Sequence, residues 1–169
     1  IKRNAAALYR AQRRGGRGKI GATTKEAAFV EHLFVASTHS YILFFTTSGK
    51  VFWTKVHEIP QAGRAARGKA IVNLLNLEKD EKISAFLPVR EFQEGRYVLF
   101  ATKNGTVKKT ELMAYSNPRR AGIIAISLDP GDEVIGVRLT DGRQELILST
   151  RAGQAIRFKE EDVRPMGRG

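Results

Sequence analysis

Three stretches of the chain share one hydrophobic–polar pattern: Tyr41 to Trp53 (YILFFTTSGKVFW), Tyr97 to Thr110 (YVLFATKNGTVKKT) and Glu145 to Phe158 (ELILSTRAGQAIRF). Each opens with an apolar run, reaches Thr46, Thr102 or Thr150, turns at Gly49, Gly105 or Gly153 and continues into a second strand-like run. Glycine supplies the positive φ that tight hairpin turns demand, and Asn104-Gly105 is the strongest form of that signal. The pattern therefore predicts three β-hairpins. Elsewhere the apolar residues come in short β-branched and aromatic runs bounded by Gly, Asn and Asp, which again reads as strand. Only Thr23 to His32 suits a short helical turn.

The turn glycines lie 56 and 48 residues apart. That spacing is too long for a solenoid rung and suits a four-stranded propeller blade. The rest of the unit also recurs. A basic loop ending in Gly near Arg follows each hairpin (Arg64 to Gly68, Arg119 to Gly122, Arg164 to Gly169). An apolar strand is expected next, at Ala70 to Leu75 and Ile123 to Leu128. An acidic turn follows at Asp80-Glu81 and Asp132-Glu133, and then a last strand at Ile83 to Val89 and Val134 to Leu139. The first segment obeys the same grammar, because Ile1 stands as far before Gly18 as Val51 stands before Gly68. Ile1 thus corresponds to the start of a second hairpin strand, and Phe34-Val35-Ala36 to the last strand of that unit. The expectation is an all-β, propeller-like domain over residues 1–169, made of antiparallel four-stranded blades. Its approximate repeats are 1–40, 41–95, 96–143 and an incomplete 144–169, about three blades cut from a longer protein. A start without Met agrees with that expectation.

Charge changes the picture most. Lys and Arg number 29 against 17 Asp and Glu, a formal charge of +12, with 42% hydrophobic residues to build a core. Such an excess points to a polyanion, nucleic acid or an anionic surface. Without cysteine there is no disulfide framework and no thiolate metal site, and an intracellular setting fits. No apolar run approaches the roughly 18–20 residues that span a bilayer.

The most specific segment is Gln12-Arg13-Arg14-Gly15-Gly16-Arg17-Gly18, followed by Lys19. Guanidiniums make charge-assisted and often bidentate contacts with phosphate oxygens. The interleaved glycines let backbone N–H groups approach as well. The first 20 residues hold seven Lys or Arg and no acid. A cluster of this kind binds phosphate without reading bases, so affinity should fall steeply with salt. The same composition occurs in solvated basic linkers and in disordered RNA-binding tails. Here, however, the segment occurs once, at the point where the repeat calls for a structured loop.

Gln12 to Gly18 resembles the heptapeptide box Q-(K/R)-R-G-G-(K/R)-G of the DNA gyrase A C-terminal domain family, at all seven positions. Similar text surrounds it: Tyr9-Arg10-Ala11, Ala66-Arg67-Gly68-Lys69-Ala70-Ile71-Val72-Asn73-Leu74-Leu75, Asn104 to Thr110, Arg157-Phe158-Lys159-Glu160 and Val163-Arg164-Pro165-Met166-Gly167. The resemblance implies a six-bladed β-pinwheel whose neighbouring blades exchange strands and whose basic rim wraps duplex DNA in support of ATP-dependent negative supercoiling. The partners it implies are double-stranded DNA, the gyrase A N-terminal domain and the gyrase B subunit, in a cytoplasmic, chromosome-associated heterotetramer. It implies no cofactor in this domain, with ATP and Mg elsewhere in the holoenzyme.

Equivalent loops on adjacent blades fall along one rim. The expected DNA-binding set is therefore Gln12, Arg13, Arg14, Gly15, Gly16, Arg17, Gly18 and Lys19, with Arg64, Arg67, Lys69, Arg119, Arg120, Arg164 and Arg168. Open sheet edges would let a partial set of blades associate with another copy. Catalytic readings fare worse. Gly15 to Ile20 lacks the first Gly and the final Ser or Thr of a phosphate-binding P-loop. His32, His39 and His57 lack metal-ligand spacing. The acidic pairs recur as turns, Tyr41 and Tyr97 read as sheet residues, and the expectation is a chain that is not an enzyme alone. Alternatives are the related topoisomerase IV domain, which lacks an intact box, and a basic propeller scaffold for protein or RNA partners. The RNA reading rests on Tyr9 alone as a stacking aromatic.

Overall fold

The computed structural model describes residues 1–11, 14–18, 20–24 and 29–169. Nine strands follow one another: β1 (Tyr41–Thr46), β2 (Lys50–Lys55), β3 (Ile83–Val89), β4 (Tyr97–Thr102), β5 (Val107–Glu111), β6 (Ile123–Ile124), β7 (Val134–Thr140), β8 (Glu145–Ser149) and β9 (Ala155–Lys159). They form a four-stranded sheet ordered β3-β1-β2-β6, a three-stranded sheet ordered β5-β4-β7 and a β8-β9 hairpin. Every ladder is antiparallel.

The three hairpins fold where the apolar runs and turn glycines predict. Gly49, Gly105 and Gly153 all take φ between 84° and 93°, a conformation that costs glycine nothing. The threonine that closes each first strand pins the turn. Thr46, Thr102 and Thr150 accept through Oγ1 from the N–H groups of Lys50, Thr106 and Gln154 at 3.1–3.2 Å. Matching register shifts follow at Phe45/Thr46 and Ala101/Thr102, where β1 and β4 meet the last strands of their units.

β1 is buried on both faces, which explains its continuous apolar run rather than an alternation. One face carries Ile42 and Phe44, which pack with Phe52, Val56, Ile59 and Leu75. The other carries Leu43 and Phe45, which meet Val98, Phe100, Leu112 and Tyr115 of the following unit. Phe45 stands edge-on to Phe100 and Tyr115, at 5.3 and 6.1 Å between centroids. The second core therefore lies between sheets, and each fully buried aromatic there contributes about 1.5–3 kcal/mol.

β6 belongs by sequence to the second unit, yet it pairs with β2 of the first, Val51 opposite Ile123. Adjacent units are also joined by the parallel bridges Arg3 to Gln61 and Lys109 to Pro165. A 3₁₀ turn follows the second hairpin strand each time, at Val56–Glu58, Leu112–Tyr115 and Glu160–Asp162. Ala6–Leu8 forms the same turn 50 residues before Val56–Glu58, the offset that sets Ile1 against Val51.

Some expected elements differ. Ala70 to Leu75 is not a strand. Ile71–Asn73 is a 3₁₀ turn, and the Leu74 and Leu75 N–H groups both bond to Ile71 O. Of Ile123 to Leu128 only two residues pair, because the Ala125 and Ile126 N–H groups turn to Gly49 O. Phe34-Val35-Ala36 finds no ladder partner among the described strands. It is held by Phe34 stacked on Phe86 at 4.5 Å. The described part of Thr23 to His32 carries no helix, and residues 25–28 lie outside the described set.

The acidic turns are clasps. The Asp132 carboxylate accepts from the N–H groups of Asn104 and Glu133 at 3.0 and 2.9 Å, tying the acidic turn to the hairpin turn. The Glu81 carboxylate does the same in the preceding unit, accepting from Ser48 Oγ and the Glu78 N–H. Hydrogen bonding from Thr102, more than burial opposes it, holds Asp132 below its ordinary 3.8. Burial raises Glu81, but the bonds from Glu78, Ser48 and Thr46 outweigh it and leave the group below 4.5. A carboxyl depressed in the folded state stabilises the fold above its unfolded value and loses that contribution as pH falls through its lower folded value. Chemical denaturation followed across pH should therefore show stability declining from about pH 4 downward. Asp132→Asn should be less stable at neutral pH and show a shallower decline.

Candidate nucleic-acid interface

The box sits in a loop closed at its base. The Tyr9 hydroxyl donates to Gly21 O at 2.9 Å and lies 2.7 Å from the Asn4 amide, so the two ends of the segment meet. Tyr9 thus serves the loop through its hydroxyl. Arg14, Gly15, Gly16, Arg17 and Gly18 are exposed, with Gly15 at φ +83°. Gln12, Arg13 and Lys19 lie outside the described residues.

The second loop runs alongside. The Thr23 N–H bonds to Arg64 O at 3.1 Å, and Ile20 lines one shallow pocket with Gly63, Arg64, Ala65 and Ala66. With the 50-residue offset the two loops correspond position by position: Arg14 to Arg64, Arg17 to Arg67, Gly18 to Gly68 and Lys19 to Lys69. The box is the arginine- and glycine-enriched copy of a loop that every unit carries.

The loop at Gly68 and its counterparts in the next two units pack on the second hairpin strand of the unit before. Lys69 N–H donates to Ile1 O at 3.0 Å and Ile1 N donates to Lys69 O at 2.5 Å. A Cβ built on Gly68 would stand 2.8 Å from Ile1 O. In the next unit Gly122, at φ +72°, would stand 2.8 Å from the Phe52 ring and 3.0 Å from Val51 O. The last loop is held in the same way, by the Met166 N–H on Lys109 O at 2.8 Å and Lys108 Nζ on Arg168 O at 2.5 Å. Because one packing relation generates each loop from the last, the loops fall in a row.

Arg67, Lys69, Arg119, Arg120, Arg164 and Arg168 are exposed and Arg64 is half-buried. None of the ion pairs among the described residues engages them or Arg14. The exposed residues of this set thus stand without acid partners there, as a polyanion site requires. One placement changes: counted from the 3₁₀ turns at Val56–Glu58 and Glu160–Asp162, Gly167 and Arg168 correspond to Gly63 and Arg64, so Arg164, at the position of Pro60, precedes the loop expected to run from Arg164 to Gly169.

Two further basic residues, Lys2 and Arg3, count in sequence toward the N-terminal phosphate cluster but turn to the protein instead. Arg3 Nε donates to Ile59 O at 3.2 Å. One unit later Trp53 Nε1 donates to Tyr115 O at 2.9 Å, and in the next Lys109 Nζ donates to Glu160 O at 3.0 Å. Three different side chains at one repeat position thus reach across to the 3₁₀ turn of the following unit. Lys109 also lies over the Tyr97 ring at 4.9 Å. The signal for this role was periodicity, which a count of charges hides.

The profile of the family described as DNA gyrase C-terminal domain, beta-propeller, matches residues 1–37, 40–90, 96–141 and 144–169. The chain belongs to that family. Among curated relatives, it is 56% identical over 160 residues to the DNA gyrase A protein of Salmonella typhimurium, covering 95% of this chain and 18% of that protein. It is 52% identical over 167 residues to the DNA gyrase A protein of Escherichia coli, covering 99% and 19%. The chain thus spans about a fifth of the relatives it matches. Among solved structures, the C-terminal domain of DNA topoisomerase IV aligns at TM-score 0.72 and 38% identity, over 78% of this chain and 41% of that one. The DNA gyrase A C-terminal domain aligns at TM-score 0.68 and 22% identity, over 98% and 53%. The latter supports the pinwheel fold.

The packing of the loops makes Gly122 a sensitive position. Gly122→Ala adds a methyl group against Val51 O and Phe52 at a positive φ, so unfolding should become easier by about 1–3 kcal/mol. Denaturant midpoints measure this. Gly105→Ala, at a positive φ but in open space, should cost less.

Proposed function

We propose that this domain binds and bends duplex DNA along its row of basic loops, as the wrapping element of a gyrase-type topoisomerase. The observation that carries the reading is the placement of Arg64, Arg67, Arg120 and Arg168 on loops that one packing relation repeats, with Arg14 on the loop bonded beside them through the Thr23 N–H and no acid among the described residues paired to any of these. A row of cations set by stacked sheets tracks a phosphate backbone and reads no base edges. Bending costs of order 1–6 kcal/mol over 20–30 base pairs, which contacts spread over several loops offset together. In sequence the box concentrates guanidiniums further, with Arg13, Arg14 and Arg17 within five positions.

In this reading the domain performs no chemistry. It presents a wrapped segment to the strand-passage machinery formed by the gyrase A N-terminal domain and the gyrase B subunit, where ATP and Mg act. The setting is the cytoplasm, on the chromosome. Among the described residues no group of three or more His, Cys, Asp or Glu could hold a metal ion, and no helix is long and apolar enough to cross a membrane. The 38% identity to the topoisomerase IV domain supports a second reading, the same module in that enzyme. The intact box favours gyrase.

Replacing Arg13, Arg14 and Arg17 with Ala in the full-length protein should abolish wrapping and negative supercoiling and leave ATP-dependent relaxation in place. Wrapping is read by ligating nicked circles on the protein and measuring the linking-number change. Supercoiling retained at the parent rate overturns the proposal.

A further inference from the structure

We infer that Lys2 and Lys108 are positioning residues, ammonium groups that lock the basic loops from beneath and make no phosphate contact themselves. The inference rests on the DNA-wrapping reading for its functional consequence and on geometry for the role itself.

Lys2 Nζ donates to the carbonyls of Arg64 at 2.9 Å and Ala66 at 2.7 Å, with Gly63 O at 3.4 Å. An ammonium has three donors, and three carbonyls of one loop surround this one. No donor is left for a phosphate. Lys108 occupies the same repeat position two units later, one residue after Val107 as Lys2 follows Ile1. Its Nζ donates to Arg168 O at 2.5 Å, and Arg168 is the counterpart of Arg64. Lys108 is 8% exposed. A second unit thus repeats the bond, from the same strand position to the same loop position.

The consequence is mechanical. A loop whose carbonyls are drawn inward around an ammonium turns its side chains, Arg64 and Arg67 or Arg168, away from the sheet. Between the two, position 52 is Phe, which packs on Gly122 instead. That loop is seated by an apolar contact, and the lysines serve its neighbours.

Direct and indirect roles separate by salt dependence. Removing a cation that contacts phosphate lowers the slope of log affinity against log salt by about one. Removing a positioning lysine lowers affinity and keeps the slope, because the number of neutralised phosphates is unchanged. In the full-length protein, Lys2→Met should weaken binding of a short linear duplex about three- to tenfold with the parent slope, and Lys108→Met should do the same. Arg64→Ala, the comparison variant, should reduce the slope by about one. Without DNA, hydrogen exchange of the Ala66 and Lys69 amides, bonded to Gly63 O and Ile1 O, should quicken in Lys2→Met. A slope reduced by about one in either lysine variant overturns the inference, as does unchanged exchange in Lys2→Met. If the parent binds duplex without any salt slope, the wrapping reading fails, while the exchange measurement still decides what Lys2 does.

Discussion

Everything in this domain depends on how one sheet is tied to the next. The tie is a side chain on the second hairpin strand that crosses to a backbone carbonyl of the following 3₁₀ turn: Arg3 to Ile59, Trp53 to Tyr115 and Lys109 to Glu160. Glu160 O takes this donor in addition to the Val163 N–H of its own turn, and a buried carbonyl left unpaired costs about 1–3 kcal/mol. Satisfying it from the neighbouring blade makes the polar requirement of one unit a link to another. Because a guanidinium, an indole and an ammonium all serve, what persists between units is a donor of the right reach. Around it the apolar faces close, with Phe45 against Phe100 and Tyr115, and β6 joins β2.

The Lys109 site shows the tie at its most demanding. Lys109 is 4% exposed and Glu160 is fully buried, and Lys109 Nζ lies 4.0 Å from Glu160 Oε1. Buried charges are costly unless their remaining bonds are made. Here Thr140 Oγ1 and the Gln144 N–H donate to the Glu160 carboxylate at 2.5 and 3.1 Å. The groups come from β5, β7, the segment before β8 and the turn after β9, so the network forms only when the two units are in place. It favours one angle between blades, and the loop at Arg164 to Arg168 follows that angle.

The hairpins, the last strands at Ile83–Val89 and Val134–Thr140 and the acidic turns were legible in the sequence because each is specified locally. An apolar run, a threonine, a turn glycine and an acid at a fixed distance dictate them without help from the rest of the chain. The stretches at Ala70–Leu75 and Ile123–Leu128 were not: only Leu75, Ala125 and Ile126 in them are buried, while Val72 and Ile124 are largely exposed. Whether such residues extend or coil depends on which carbonyls come within reach: Ile71 O within the first stretch and Gly49 O of the preceding unit drew the N–H groups into turns. The exposed arginines of the loops were visible as charge. The inward roles of Lys2 and Arg3 were hidden by the same charge, because only alignment of the units against Trp53 and Lys108 distinguishes a tie from a phosphate contact.

That distinction bears on how a basic surface comes to hold bent DNA. Charge in excess binds duplex of any shape, and a mobile arginine follows the backbone without bending it. Bending requires cations whose spacing is fixed more stiffly than the duplex is, so that the nucleic acid yields first. In this chain part of the positive charge, on Lys2, Arg3, Lys108 and Lys109, is bonded to backbone carbonyls, and another part, on Arg14, Arg67, Arg120 and Arg168, is exposed. In the wrapping we propose, the inner set fixes the spacing of the loops and the outer set presents it to the duplex.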